Sequence, residues 1–116
     1  MKEGDVVLTP LPQADGRTKN QPVVVPRAMP PHGDMLVCGV STRLRQAVVD
    51  FDEIVHAQDA DFAMSGLKAP SLIRLGFLGV LPAASFSGTI GSISSQRHRR
   101  LLERLAKYLV IESEAE

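Results

Sequence analysis

Apolar residues in this chain fall into short, β-branched runs, each closed by Gly, Pro, Asp or Ser, the pattern of half-buried strands separated by turns. The runs predict strands at 5–9, 22–26, 35–41, 71–75 and 77–81, with a short one at 89–92. Pro10, Pro12, Pro26, Pro30 and Pro31 are expected to confine the first two, because each proline removes a ladder donor. Strands this closely spaced, with no helix between them, predict a strongly bent antiparallel sheet or a small barrel. Residues 48–68 fit either a weak helical turn or an irregular strand, and Met64-Ser65-Gly66-Leu67 reads as a turn into the next strand.

The periodicity changes after Ser94. Leu101, Leu102, Leu105 and Leu109 recur at spacings of three and four, an amphipathic stripe that predicts one closing helix over 94–111 with Ser94 or Ser95 as N-cap. Glu103 and Lys107 stand four apart in the favourable order. Arg97, Arg99, Arg100 and Arg104 crowd the first half, and a charge run of this kind reads as a solvated helix face ahead of a nucleic-acid contact. The pattern as a whole predicts a mainly β chain with one C-terminal α-helix, a single domain over 1–111, and a frayed acidic tail at 112–116.

Between the first two predicted strands lies a polar stretch holding Asp15, Gly16, Arg17, Lys19, Asn20 and Gln21. A structureless connection that long is uncommon in a compact domain unless it has a function. Thirteen basic and thirteen acidic side chains give a formal net charge of zero, so total charge does not point to nucleic acid. The distribution is uneven, with Arg17, Lys19, Arg27, Arg43 and Arg45 early and Asp50, Asp52, Glu53, Asp59 and Asp61 later. A basic face and an acidic loop are expected on one molecule. Cys38 is the lone cysteine, so no disulfide forms within the chain. The Met1 start lacks a signal-like apolar run, and a soluble cytoplasmic protein is expected. With no tryptophan, one tyrosine and four phenylalanines, aromatic platforms for bases are sparse.

Several chemistries lack their motifs. There is no phosphate-binding glycine loop followed by Lys and Ser or Thr, no His-x-x-x-His pair and no cysteine pair for zinc. Gly91-Ser92-Ile93-Ser94 is not a nucleophile elbow. What remains is Arg, Lys, Ser, Thr and His at strand ends and loops, the equipment of metal-free phosphate chemistry.

Five stretches, in order, carry a resemblance: GDVVLTPLP, a polar segment ending in NQPVVV, LVCGVST, GLKAPSLIRLGFLGVLP and IGSISSQRHRRLLERL. Together, over nearly the whole chain, they resemble the MazF/PemK type of toxin from bacterial toxin–antitoxin systems. The resemblance implies a small SH3-like antiparallel β-barrel of the CcdB/PemK type with a C-terminal helix. It implies a homodimer that cleaves single-stranded RNA without metal or cofactor, and an antitoxin protein that blocks the RNA groove with a segment ordered on binding.

In such a reaction the ribose 2′-hydroxyl attacks the adjacent phosphate, so a site must move protons and stabilise charge on phosphorus-bound oxygens. The family's arginine before the proline of the second strand falls on Gln21, a departure, since an amide is neither charged nor a proton carrier. The strand-end threonine falls on Ser41, with Thr42 and Arg43 following. The fourth-strand arginine matches Arg74, while the acidic residue two positions later in some members is Gly76 here. The resemblance thus implies Ser41, Arg74 and Gln21 as catalytic positions, and Arg17, Lys19, Thr42, Arg43 and His32 are the candidate RNA contacts. Arg17 and Lys19 are candidates to replace the missing charge, and His32 is the candidate base among the histidines. Each has a plainer reading as a surface or turn residue. Three functions stay open: an endoribonuclease toxin, a module of the same fold that binds antitoxin or RNA without cutting, and an unrelated interaction barrel.

Overall fold

The structure, a computed structural model, describes residues 1–12 and 14–111. Six strands, β1 (Asp5–Pro12), β2 (Thr18–Met29), β3 (Asp34–Ser41), β4 (Glu53–Val55), β5 (Ser71–Leu81) and β6 (Gly88–Ser92), form one antiparallel sheet in the order β4-β5-β3-β2-β1-β6. The sheet curls into a half-barrel. A short helix α1 (Phe62–Ser65) precedes β5, and the long helix α2 (Ser95–Val110) ends the chain. The expected small antiparallel barrel with a terminal helix is therefore what the chain forms. The expected acidic tail at 112–116 lies outside the described residues.

The long loop expected between the first two strands is instead a hairpin arm. β1 and β2 stay in register from Val6↔Val24 out to Pro12↔Thr18. Prolines 10 and 12 do not end the strand, and parity explains why. The Leu8 carbonyl accepts from the Ser87 N–H on the β6 side, so by alternation Pro10 and Pro12 turn their donorless nitrogens the same way. The described pairing with β6 ends at Leu8, so no ladder bond is lost there. Pro26 sits within the register shift between Val24 and Arg27, another place where a missing N–H is tolerated. The arm turns through Gly16 at φ +84, and the Asp15 carboxylate accepts from the Arg17 N–H at 3.0 Å.

The two strands expected at 71–75 and 77–81 are one. β5 pairs with β3 on both sides of a break: Cys38 faces Leu78 while Gly39 faces Arg74. Leu75, Gly76 and Phe77 thus bulge out of the ladder. The Leu75 N–H, displaced from the ladder, donates to Asp52 Oδ1 at 3.0 Å, and the other Asp52 oxygen accepts from the Val48 N–H at 2.9 Å.

Apolar residues are buried on both faces of the curled sheet, which is why β1 and β2 read as continuous runs. Val6, Val24, Cys38, Ile73 and Leu75 join Leu101 and Leu105 of α2 in one core, while Val7, Val23, Val25 and Val37 form a second. Residues 48–68 hold both expected alternatives, strand β4 and helix α1. The turn at 64–67 closes with Gly66 at φ +73, and a Cβ on Gly66 or Gly91 would meet backbone oxygens at 2.1 or 2.2 Å. Only glycine lets α1 and β6 approach this closely.

The arginine-rich half of α2 overturns its expected reading as a solvated face. Ser94 caps the helix by accepting from the Arg97 N–H. Arg97 is itself buried, one turn before Leu101 and two before Leu105. All five of its guanidinium donors are used. Nε and Nη2 grip Asp61 at 2.8 and 3.0 Å, Nη2 also reaches Asp59 at 3.0 Å, and Nη1 binds Glu53 and the Ile54 carbonyl at 2.9 and 3.0 Å. Arg100 and Arg104 close on the same Glu53 at 2.9 and 2.6 Å, and Arg104 also binds the Asp52 carbonyl at 2.8 Å. The acidic stretch thus neutralises the basic helix inside the molecule.

Removing one member of a buried ion cluster leaves charges unpaired. Arg97→Ala is therefore expected to cost about 3–5 kcal/mol, a large share of the roughly 5–15 kcal/mol of a typical domain, measured by urea denaturation. The hydrogen bonds from Arg97 hold the Asp61 carboxyl down from 3.8 to about 2. A carboxyl depressed on folding stabilises above its unfolded value and loses that contribution on protonation. Wild-type melting temperature should therefore fall steeply between about pH 4 and pH 2, and the Asp61→Asn variant should show a shallower fall over that window.

Candidate functional site

Four strands build one cleft of about 190 Å³, lined by Leu11, Pro12, Gln21, Pro22, Val23, Gly39, Val40, Ser41, Arg74 and Phe77. It is smaller than a drug-sized pocket of about 300–1,000 Å³ and large enough for a phosphate. Gln21 enters from the start of β2 and Ser41 from the end of β3. Arg74 lies across β3 from them, opposite Gly39. The three positions that the resemblance implied as catalytic are brought together here.

Their polar groups are free to meet a ligand. The Arg43 N–H donates to Ser41 Oγ at 3.0 Å, which leaves the hydroxyl hydrogen available to an acceptor in the cleft. Among the described residues, the Gln21 and Arg74 side chains have no hydrogen-bond or ion-pair partner. This separates Arg74 from Arg97, Arg100 and Arg104, whose charges are consumed by carboxylates. Ile73 and Leu75 on either side of Arg74 are fully buried, so alternation sends the half-buried arginine to the cleft face.

Phe77 was missed in the sequence. The bulge carries it back over β3, where a Cβ on Gly39 would stand 2.9 Å from its Cδ1 and 3.2 Å from its Cγ. Its ring lies 6.0 Å from the Arg74 guanidinium carbon, within the range of a cation–π contact. The readable signal was Gly76, since a single residue between two expected strands is too short for a hairpin turn.

The remaining candidates lie at graded distances. Lys19 shares the β2 face of Gln21 by alternation, and exposed Arg17 precedes it at the arm's turn. Thr42 and Arg43 follow Ser41 and line a separate shallow hollow with Leu44, Arg45 and Gln46. His32 is exposed in the turn between β2 and β3, at the far end of that hairpin from Gln21 and Ser41. At about 3.3 Å per residue along β2 the separation is roughly 25 Å, so within one chain His32 does not reach the cleft. Among the described residues no carboxylate or imidazole lines the cleft.

Two features elsewhere bear on chemistry. Burial, with the Asp52 carboxylate adding to it, pushes the Cys38 thiol up to about 12, so the thiolate needed for reactivity is absent at neutral pH. Among the described residues no group of three or more His, Cys, Asp or Glu is placed to hold a metal ion, and no helix is long and apolar enough to cross a membrane.

A curled antiparallel sheet and a closing C-terminal helix make up a MazF-type fold. The chain is similar to the solved Mycobacterium tuberculosis toxin MazF-mt6, with a TM-score of 0.65 and 18% identity over 94% of this chain and 99% of that one. No family model and no curated protein sequence matches the chain.

Replacing the glycine under Phe77 tests how tightly this wall is built. Overpacking of this kind costs about 1–3 kcal/mol, so Gly39→Ala should lower stability by that amount and displace the Phe77 ring resonances in an NMR spectrum. Unchanged ring shifts would show that Phe77 does not rest on Gly39.

Proposed function

We propose that this chain is the toxin of a type II toxin–antitoxin pair, a metal-independent endoribonuclease that cuts single-stranded RNA by attack of a 2′-hydroxyl on the adjacent phosphate. The observation that carries the reading is the convergence of uncommitted Arg74 with the Ser41 hydroxyl and the Gln21 amide in one phosphate-sized cleft. Arg74 offers a planar fork to two phosphate oxygens. Ser41 and Gln21 add neutral donors, so charge developing on the phosphate is met from three sides. Lys19 and Arg17 extend the positive path for the flanking backbone.

The weakness of the site is proton transfer. Among the described residues no imidazole or carboxylate lines the cleft, so catalysis within one chain rests on electrostatic stabilisation. That observation favours a second reading, a weakened or inactive module of the same fold that binds antitoxin or RNA without cutting.

Cleavage of a long mixed-sequence RNA in EDTA separates the two. The toxin reading expects 2′,3′-cyclic phosphate ends, a loss of about hundredfold or more in Arg74→Ala, and a rate that climbs with pH without a bell near pH 6–7. A bell there would show that an imidazole or carboxylate from outside the described cleft takes part. An inert wild type with an active Gln21→Arg variant would establish the second reading.

We propose further that the chain works as a homodimer and meets an antitoxin through side-chain surfaces. The support is an apolar face at the end of α2, where Leu109 is 69% exposed beside Tyr108, Val110 and Ile111, and Val48, 56% exposed, lines the groove beside it. The adjoining groove of about 810 Å³ is lined by Phe51, Leu75, Leu78 and Leu105. Exposed apolar patches of this kind mark interaction sites. Light scattering should give twice the chain mass for wild type and the monomer mass for Leu109→Glu.

A further inference from the structure

We propose that Phe77 is a nucleobase platform that fixes one unstacked base of the bound strand next to the phosphate held by Arg74. The proposal rests on reading the cleft as a single-stranded RNA site, and adds which chemical group of the RNA the cleft recognises besides its backbone.

The ring stands where an apolar side chain gains little from the protein. Phe77 is 53% exposed, although the cores on both sheet faces take up phenylalanines elsewhere, at Phe51, Phe62 and Phe86. It is presented by a built feature. The Leu75–Phe77 bulge carries it over β3, Gly39 clears the space beneath it, and Asp52 holds the displaced Leu75 N–H. The Arg74 guanidinium 6.0 Å from the ring centroid places the phosphate-binding group and the aromatic surface one nucleotide-sized step apart. An exposed aromatic beside a cation in a backbone-binding groove is how sequence-tolerant single-strand sites hold bases, and only an unstacked strand offers a base face to it.

The chain contains no tryptophan, so Phe77→Trp installs a single tryptophan, excited apart from Tyr108, at the site itself. Two uncleavable probes of equal length are titrated by anisotropy in EDTA: a mixed-sequence 2′-deoxyoligonucleotide and an abasic oligomer carrying the same phosphates without bases. Wild type should bind the base-bearing probe more tightly than the abasic one. Phe77→Leu, which keeps apolar volume without the ring, should lose about fivefold to a hundredfold on the base-bearing probe, the fold-change that one stacked base supplies, and nothing on the abasic probe. Phe77→Trp should retain binding, with fluorescence quenched by the base-bearing probe alone. Equal loss in Phe77→Leu on both probes would overturn the proposal, because the ring would then act only by supporting Arg74. Wild-type binding to both probes with equal affinity would also overturn it. Failure of wild type to bind either probe would remove the RNA reading of the cleft itself.

Discussion

The buried guanidinium of Arg97 is the constraint on which the rest of the structure depends. A helix with four arginines in its first three turns and a loop with five acidic residues are each poor material for a core. Joined, they satisfy one another: every donor of Arg97 finds an acceptor in Glu53, Asp59, Asp61 or the Ile54 carbonyl. The cluster places α2 across the sheet and fixes β4, the shortest strand, against β5. Its desolvation is tolerable only because the geometry is complete.

That anchoring reaches the cleft through one residue. Arg104 of α2 holds the Asp52 carbonyl, and the Asp52 side chain receives the Leu75 N–H displaced by the bulge. The bulge in turn sets Phe77 over Gly39 and beside Arg74. Arg104 therefore serves the cleft at a distance, by holding the Asp52 backbone from which the bulge is fixed. The free charge in the cleft and the bound charge behind it are two parts of one distribution.

Much of this was legible in the sequence. Run length and β-branching gave six strands' worth of apolar segments, and the 3–4 spacing of leucines gave the helix. The order of motifs singled out Gln21, Ser41 and Arg74, which the fold brings together. Two things were hidden. Whether a charge run is solvated or buried depends on a partner distant in the chain; the signs were the matching acidic run and the placing of Arg97 four residues before Leu101 and eight before Leu105. Whether proline ends a strand depends on which side its nitrogen faces, a property of pairing that residue type alone does not reveal. That is why a hairpin arm looked like a loop, and why His32 looked closer to the chemistry than the far turn allows.

The prolines of that arm have a consequence for association. A strand whose outer edge is bare normally invites another chain to dock along it and extend the sheet, the first step toward fibrils as well as toward specific peptide capture. With Pro10 and Pro12 facing outward beyond the end of β6, that edge offers carbonyls but lacks alternate donors. At the opposite margin β4 spans only Glu53–Val55, too short to template a neighbour. The arm can project into solvent beside the cleft without recruiting strands indiscriminately.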